Sequence, residues 1–132
     1  LLALAERFWP GPLTLVARCA ASVPDIVTAG TQTVAVRMPD HPAALGLFAL
    51  AGQPLAVTSA NLSGQANPLT ARDVMAQLAG RIDAVVDGGA CPGGVPSTVL
   101  DLTTTPLRIL RHGPVTAQDL RFIAGEINPS TG

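Results

Sequence analysis

Lysine is absent from this 132-residue chain, and so is tyrosine; all eight basic residues are arginines. There is thus no Schiff-base lysine and no lysine phosphate anchor, and an anion has to be met by planar guanidinium groups. Charged residues make up 13% of the chain and the net charge is −1, which argues against charge-driven, non-specific binding to nucleic acid. Cys19 and Cys91 stand far apart, with His41 and His112 elsewhere, and no CxxC or HxxxH spacing exists. That pattern argues against a zinc site and against a secreted disulfide scaffold. No Ser-His-Asp order with a nucleophile elbow is present. A basic segment with an A-x-A cleavage site is missing too. The 13 glycines and 12 prolines break every apolar run short of the roughly 18 residues a membrane helix needs. The expectation is a cytoplasmic protein without membrane contact, metal site or tightly bound cofactor.

What remains is 48% hydrophobic, in a chain the length of one domain. It opens on Leu1 without an initiator Met, which suggests a piece of a longer protein. Leu1, Leu4 and Phe8 share a helical face that Trp9-Pro10-Gly11-Pro12 terminates. Leu13–Cys19 reads as a strand, Pro24–Thr31 as a loop and Thr33–Met38 as a strand. Alternation sets Val34 and Val36 on one face and Thr33, Ala35 and Arg37 on the other. Asp40 is the expected cap of a helix reaching about Leu50, with Leu45, Phe48 and Ala49 buried. Pro54–Val57 and Ile82–Val86 read as strands, and Thr70 as the cap of a helix over Ala71–Leu78. Ser97–Leu102 and Leu107–Leu110 pair across a Thr-rich turn, and Thr116–Ala124 is a last helix before a polar tail. Strands alternating with helices, plus one antiparallel pair, predict an α/β fold with a mixed sheet.

Several places could carry chemistry. Thr58–Gly64 (TSANLSG) follows an expected strand, where small ligands bind in α/β sheets, although a Ser/Asn-rich turn has the same composition. Thr33 and Arg37 share a strand face; such an arginine clamps a carboxylate or phosphate, or simply lies in solvent. Ser97 and Arg111 approach each other if their strands pair. Trp9 is most simply a packing anchor for its corner.

FWPGPLTLV (Phe8–Val16), TVAVRMPDHP (Thr33–Pro42), LAVTSANLSG (Leu55–Gly64), GVPSTVLDL (Gly94–Leu102) and ILRHGPV (Ile109–Val115) occur in this order. Together they resemble the YrdC-like family of threonylcarbamoyl-AMP synthases. The resemblance implies a twisted mixed α/β sheet with flanking helices around a concave cleft. The domain would span residues 1–120, truncated at its N-terminus, with 121–132 as a tail. It also implies formation of threonylcarbamoyl-AMP and pyrophosphate from ATP, L-threonine and bicarbonate, with Mg2+ accompanying ATP. The product would serve threonylcarbamoyladenosine modification of tRNA through a partner complex, and double-stranded RNA binding is a further family trait. By position, Arg37, Ser59 and Ser97 match threonine contacts, and Thr33, Asn61, Thr70 and Arg111 match nucleotide contacts. The family's Lys-x-Arg motif has no counterpart here, so this stretch alone is expected to be inactive. Two alternatives stand beside this reading: a carbamoyl-adenylate-forming carbamoyltransferase domain and a non-catalytic RNA-binding module.

Overall fold

Leu13 and Leu15 are fully buried while Thr14 and Val16, which alternate with them, are not, so the first strand buries one face only. The protein is described by a computed structural model over residues 2–91 and 94–128. Leu1 of the first expected helix, Pro92 and Gly93 of the Gly/Pro-rich loop, and residues 129–132 of the tail lie outside the described residues. The elements are α1 (Leu2–Phe8), β1 (Leu13–Arg18), α2 (Asp25–Thr28), β2 (Thr33–Val36) and α3 (Pro42–Ala51). They continue with α4 (Ala71–Leu78), β3 (Thr98–Asp101), β4 (Leu107–Arg111), α5 (Ala117–Ala124) and β5 (Ile127–Asn128).

The chain divides into two compact units, Leu1–Gly52 with Val95–Gly132, and Gln53–Gly94. The first holds a mixed sheet in the order β2-β1-β3-β4-β5. β1 runs antiparallel to β2 and parallel to β3; β4 is antiparallel to β3 and parallel to β5. Leu13, Leu15, Leu100 and Ile109 present one sheet face to Leu4 of α1 and Leu120 of α5, and these residues form the core. Each fully buried leucine of this kind contributes about 1.5–3 kcal/mol. Both caps of α5 and α4 are built from a threonine and the aspartate three residues on, Thr116 with Asp119 and Thr70 with Asp73.

Several expectations are corrected. The segment read as a loop before Thr31 contains the short helix α2, started by Pro24 and Asp25. α3 begins one residue later than the Asp40 cap implies: His41 occupies the N-cap and Pro42 the first turn. None of its residues is buried, so the stripe of Leu45, Phe48 and Ala49 does not join the core. Residues 54–57 and 82–86 are not strands. Both lie in the second unit, where α4 is the regular element described, and a strand without a ladder partner leaves its backbone groups unpaired. Leu55 and Val57 are accordingly exposed. β5, which the sequence pattern does not announce, buries Ile127 beside Leu107. Among the described residues no helix is long and apolar enough to cross a membrane.

Candidate functional site

Opposite the core, the sheet of the first unit carries polar side chains. Register places Thr14 beside Val99, Ala35 beside Val16, and Thr33 beside Arg18. Residues two apart share a face, so Thr14, Ser97, Val99, Thr33, Ala35 and the Arg37 position line this side. Arg111 joins them through an irregularity. Leu100 pairs with Ile109 but Val99 pairs with Arg111, so Leu110 is the extra residue of a β-bulge. Strict alternation would send Arg111 into the core with Ile109. The bulge turns it to the other face.

There Arg111 grips Ser97 twice. Its Nε donates to the Ser97 carbonyl at 2.9 Å and its Nη2 to Ser97 Oγ at 3.0 Å. Ser97 Oγ also lies 2.7 Å from Thr14 Oγ1. The approach of these strands depends on Gly113. A Cβ there would sit 2.5 Å from the Pro96 carbonyl oxygen, 2.6 Å from the Ser97 carbonyl carbon, and against the Thr98 amide.

Arg37 is held by the Trp9–Pro12 corner. Its Nε donates to the Gly11 carbonyl at 2.9 Å, and the Gly11 amide donates to the Met38 carbonyl at 2.8 Å. Gly11 itself is buried so closely over the Phe8 carbonyl that no side chain fits. Trp9 packs against the core and donates its indole N–H to the Leu13 carbonyl at 2.7 Å, the anchoring role its position suggests. Partial burial, and then the like charge of Arg111, lower the pKa of Arg37 from the usual arginine value. It stays protonated at neutral pH. Two cations that repel each other on one face are a site that an anion would relieve. Among the described residues the Arg37 guanidinium is engaged through Nε, so both terminal nitrogens can fork onto a carboxylate. Thr33 stands apart from this cluster in its bonding: its hydroxyl lies 3.0 Å from that of Thr31.

Ser59, Asn61 and Thr70 belong to the second unit. Ser59 is exposed, and its carbonyl accepts from Thr58 Oγ1 at 3.3 Å. Asn61 Nδ2 donates to the Leu62 and Gln65 carbonyls, both at 3.0 Å, which leaves its Oδ1 without a partner among the described residues. Thr70 Oγ1 accepts the Asp73 amide at 3.2 Å, and Asp73 Oδ2 accepts the Thr70 and Leu69 amides at 2.9 and 3.0 Å. The Thr70 hydroxyl bond, followed by the Leu69 amide, holds the Asp73 carboxyl below its ordinary pKa. Gln77 of α4 pins the loop, accepting from the Leu62 amide at 3.0 Å and donating to the Ala66 carbonyl at 3.2 Å.

Sequence reasoning singled out Arg37, Ser97 and Arg111 but not Thr14, Gly11, Gly113 or Gln77. Thr14 shows in the sequence only as the polar position between two leucines. The close approaches of Gly11 and Gly113 have no local signal. Among the described residues no group of three or more His, Cys, Asp or Glu is placed to hold a metal ion.

Comparison with known proteins gives concordant results. The Sua5/YciO/YrdC family model, described as "Telomere recombination", matches residues 1–113. The threonylcarbamoyl-AMP synthase of Pyrococcus abyssi is 47% identical over 124 residues, covering 94% of this chain and 36% of that protein. The Bacillus subtilis protein of the same name is 45% identical over 130 residues, covering 98% of this chain and 38% of its own length. A crystal structure of P. abyssi Sua5 complexed with L-threonine superposes with a TM-score of 0.91 at 46% identity, over 96% of this chain and 37% of that one. The chain thus spans between a third and two-fifths of the length of these relatives.

Proposed function

The chain belongs to the Sua5/YciO/YrdC family, and from that premise we propose that it is part of an L-threonylcarbamoyladenylate synthase. The reaction joins L-threonine, bicarbonate and ATP into threonylcarbamoyl-AMP and pyrophosphate. The observation that carries the reading is the pair of arginines, Arg37 and Arg111, on the sheet face that also presents Ser97. This is a cationic, hydrogen-bonding surface suited to an amino-acid carboxylate. The names of the relatives and the threonine bound to one of them support the choice of amino acid.

In this proposal Arg37 takes the threonine carboxylate through its two terminal nitrogens, and Ser97 adds a directional hydrogen bond. Family position assigns Ser59, in the second unit, to threonine; it assigns Thr33 and Arg111 of the first unit, and Asn61 and Thr70 of the second, to the nucleotide. Asn61 Oδ1 is buried without a partner among the described residues, an acceptor for a ligand hydroxyl or amine that reaches it. Thr70 stands at the cap of α4, its hydroxyl engaged with Asp73. The threonine amine takes up the carboxyl carbon of bicarbonate with loss of water, forming a carbamate. A carbamate oxygen then attacks the α-phosphorus of ATP, and the bond to pyrophosphate breaks. Both steps ask mainly for positioning and for compensation of negative charge, which guanidinium groups and hydroxyls supply. In this proposal Mg2+ accompanies ATP; among the described residues no carboxylate cluster is placed to hold it. The product's place is tRNA threonylcarbamoylation beside the anticodon, in the cytoplasm.

The test is pyrophosphate release from ATP by the full-length protein, with and without L-threonine and bicarbonate. Release that requires both co-substrates is the expected result. The 132-residue stretch alone, lacking any lysine, is expected to release little. Release independent of threonine overturns the proposal and favours a carbamoyl-transfer role. Salt-sensitive tRNA binding without release favours an RNA-binding role.

A further inference from the structure

Ser97 Oγ is the hub of the first unit's polar face, and its hydrogen-bonding capacity can be counted. A hydroxyl has one proton and two lone pairs. Arg111 can only donate, so its Nη2, at 3.0 Å, occupies one lone pair. Thr14 Oγ1, at 2.7 Å, is the second partner and can act as donor or acceptor. Two arrangements follow. In the first, Ser97 gives its proton to Thr14 and has none left for a ligand. In the second, Thr14 donates into the remaining lone pair, and the Ser97 proton turns outward.

A carboxylate has only acceptors, so its arrival on this face selects the second arrangement. We propose that Thr14 is a positioning residue that switches from acceptor to donor when the amino-acid carboxylate binds, handing the Ser97 proton to that carboxylate. This inference rests on the reading that L-threonine binds beside Ser97. The chain Arg111 to Ser97 to carboxylate then has all its donors aligned, and aligned bonds polarise and strengthen one another. Thr14 is well placed to hold this geometry. Leu13 and Leu15 on either side of it are fully buried, which fixes the roll of β1. Its β-branched side chain has few rotamers to lose. An apolar residue there would leave Ser97 one partner short in the bound state and none to take its proton in the free state.

Calorimetry on the full-length protein tests this, with L-threonine and ATP titrated separately into wild type, Thr14→Val, Thr14→Ser, Ser97→Ala and the Thr14→Val/Ser97→Ala double variant. Valine keeps the shape and strand preference of threonine and removes only the hydroxyl. Thr14→Val is expected to weaken L-threonine binding about tenfold, and Thr14→Ser to restore it to within about threefold of wild type. ATP affinity should stay unchanged in both. In the Ser97→Ala background, Thr14→Val should add little, because the two hydroxyls act as one unit. Wild-type threonine affinity in Thr14→Val alongside a loss in Ser97→Ala overturns the inference and leaves the threonine reading standing. Parallel losses for threonine and ATP, unrescued by serine, overturn it by making Thr14 a structural residue. If the wild type does not bind threonine, or Ser97→Ala binds it normally, the reading of the site falls and the inference with it.

Discussion

Replacing Gly113 by alanine tests whether the arginine–serine contact depends on backbone proximity. The new Cβ would sit 2.5 Å from the Pro96 oxygen and 2.6 Å from the Ser97 carbon. Ordinary non-bonded contacts lie at about 3.5–4.0 Å, so the strands must part by about 1 Å. Both obstructing groups are backbone, and neither can swing aside as a side chain would. Arg111 lies two residues before Gly113, and its bonds to Ser97 measure 2.9 and 3.0 Å. Adding about 1 Å puts both beyond hydrogen-bonding range. The crowding itself costs about 1–3 kcal/mol. At about 4 °C per kcal/mol, the unfolding midpoint should fall by about 4–12 °C. Threonine binding should weaken by about tenfold or more, since hydrogen bonds to charged groups are worth about 1.5–3 kcal/mol. Differential scanning fluorimetry and calorimetric titration read the two effects. A Gly113→Ala protein that melts within a degree of wild type and binds threonine normally would refute the packing argument and the role of the contact together.

Arg37→Lys keeps the charge but loses both the Nε bond to Gly11 and the terminal fork. Threonine affinity measured by titration should drop roughly 10- to 100-fold, and an unchanged value would sink the clamp assignment. Asp119 carries a pH prediction. Thr116, through its hydroxyl and then its amide, holds the Asp119 carboxyl below the ordinary carboxylate range. A carboxyl whose folded pKa is depressed adds stability above its unfolded pKa, and that stability disappears as pH falls through the folded value. Asp119→Asn should therefore flatten the decline of the melting temperature between about pH 4 and pH 2. Parallel curves for variant and wild type would show that the cap does not titrate as described.

The parts of the fold that local chemistry dictates were legible in the sequence. Thr70 and Thr116 announce their helices because each has an aspartate three residues on. The alternation in TVAVRM shows which face Thr33 and Arg37 share. The misreadings at residues 54–57 and 82–86 arise because a short apolar run is only half of a strand. The other half is a partner's backbone, which no local pattern reports. β5 went unread for the converse reason: Ile127 is buried by pairing with β4, and a two-residue strand leaves no periodicity. In the site, Arg37, Ser97 and Arg111 were named, but what joins them was not visible. Gly113 matters through contacts some fifteen residues back along the chain, and Thr14 through a residue on another strand.

The bulge at Leu110 has a consequence for how this strand can change over evolutionary time. Substitutions along β4 are judged one at a time, each against its own neighbours. A deletion of one residue there is judged against the whole end of the strand. With Leu110 gone, Arg111 would follow Ile109 directly, and plain alternation would keep the guanidinium opposite Val99, on the face it occupies now. What would turn it into the core is a slip of register that keeps the length, with Leu110 taking the place opposite Val99. The face of Arg111 should therefore be inherited more strictly than the length of β4, with a single-residue gap at Leu110 tolerated and a slip of register without one not.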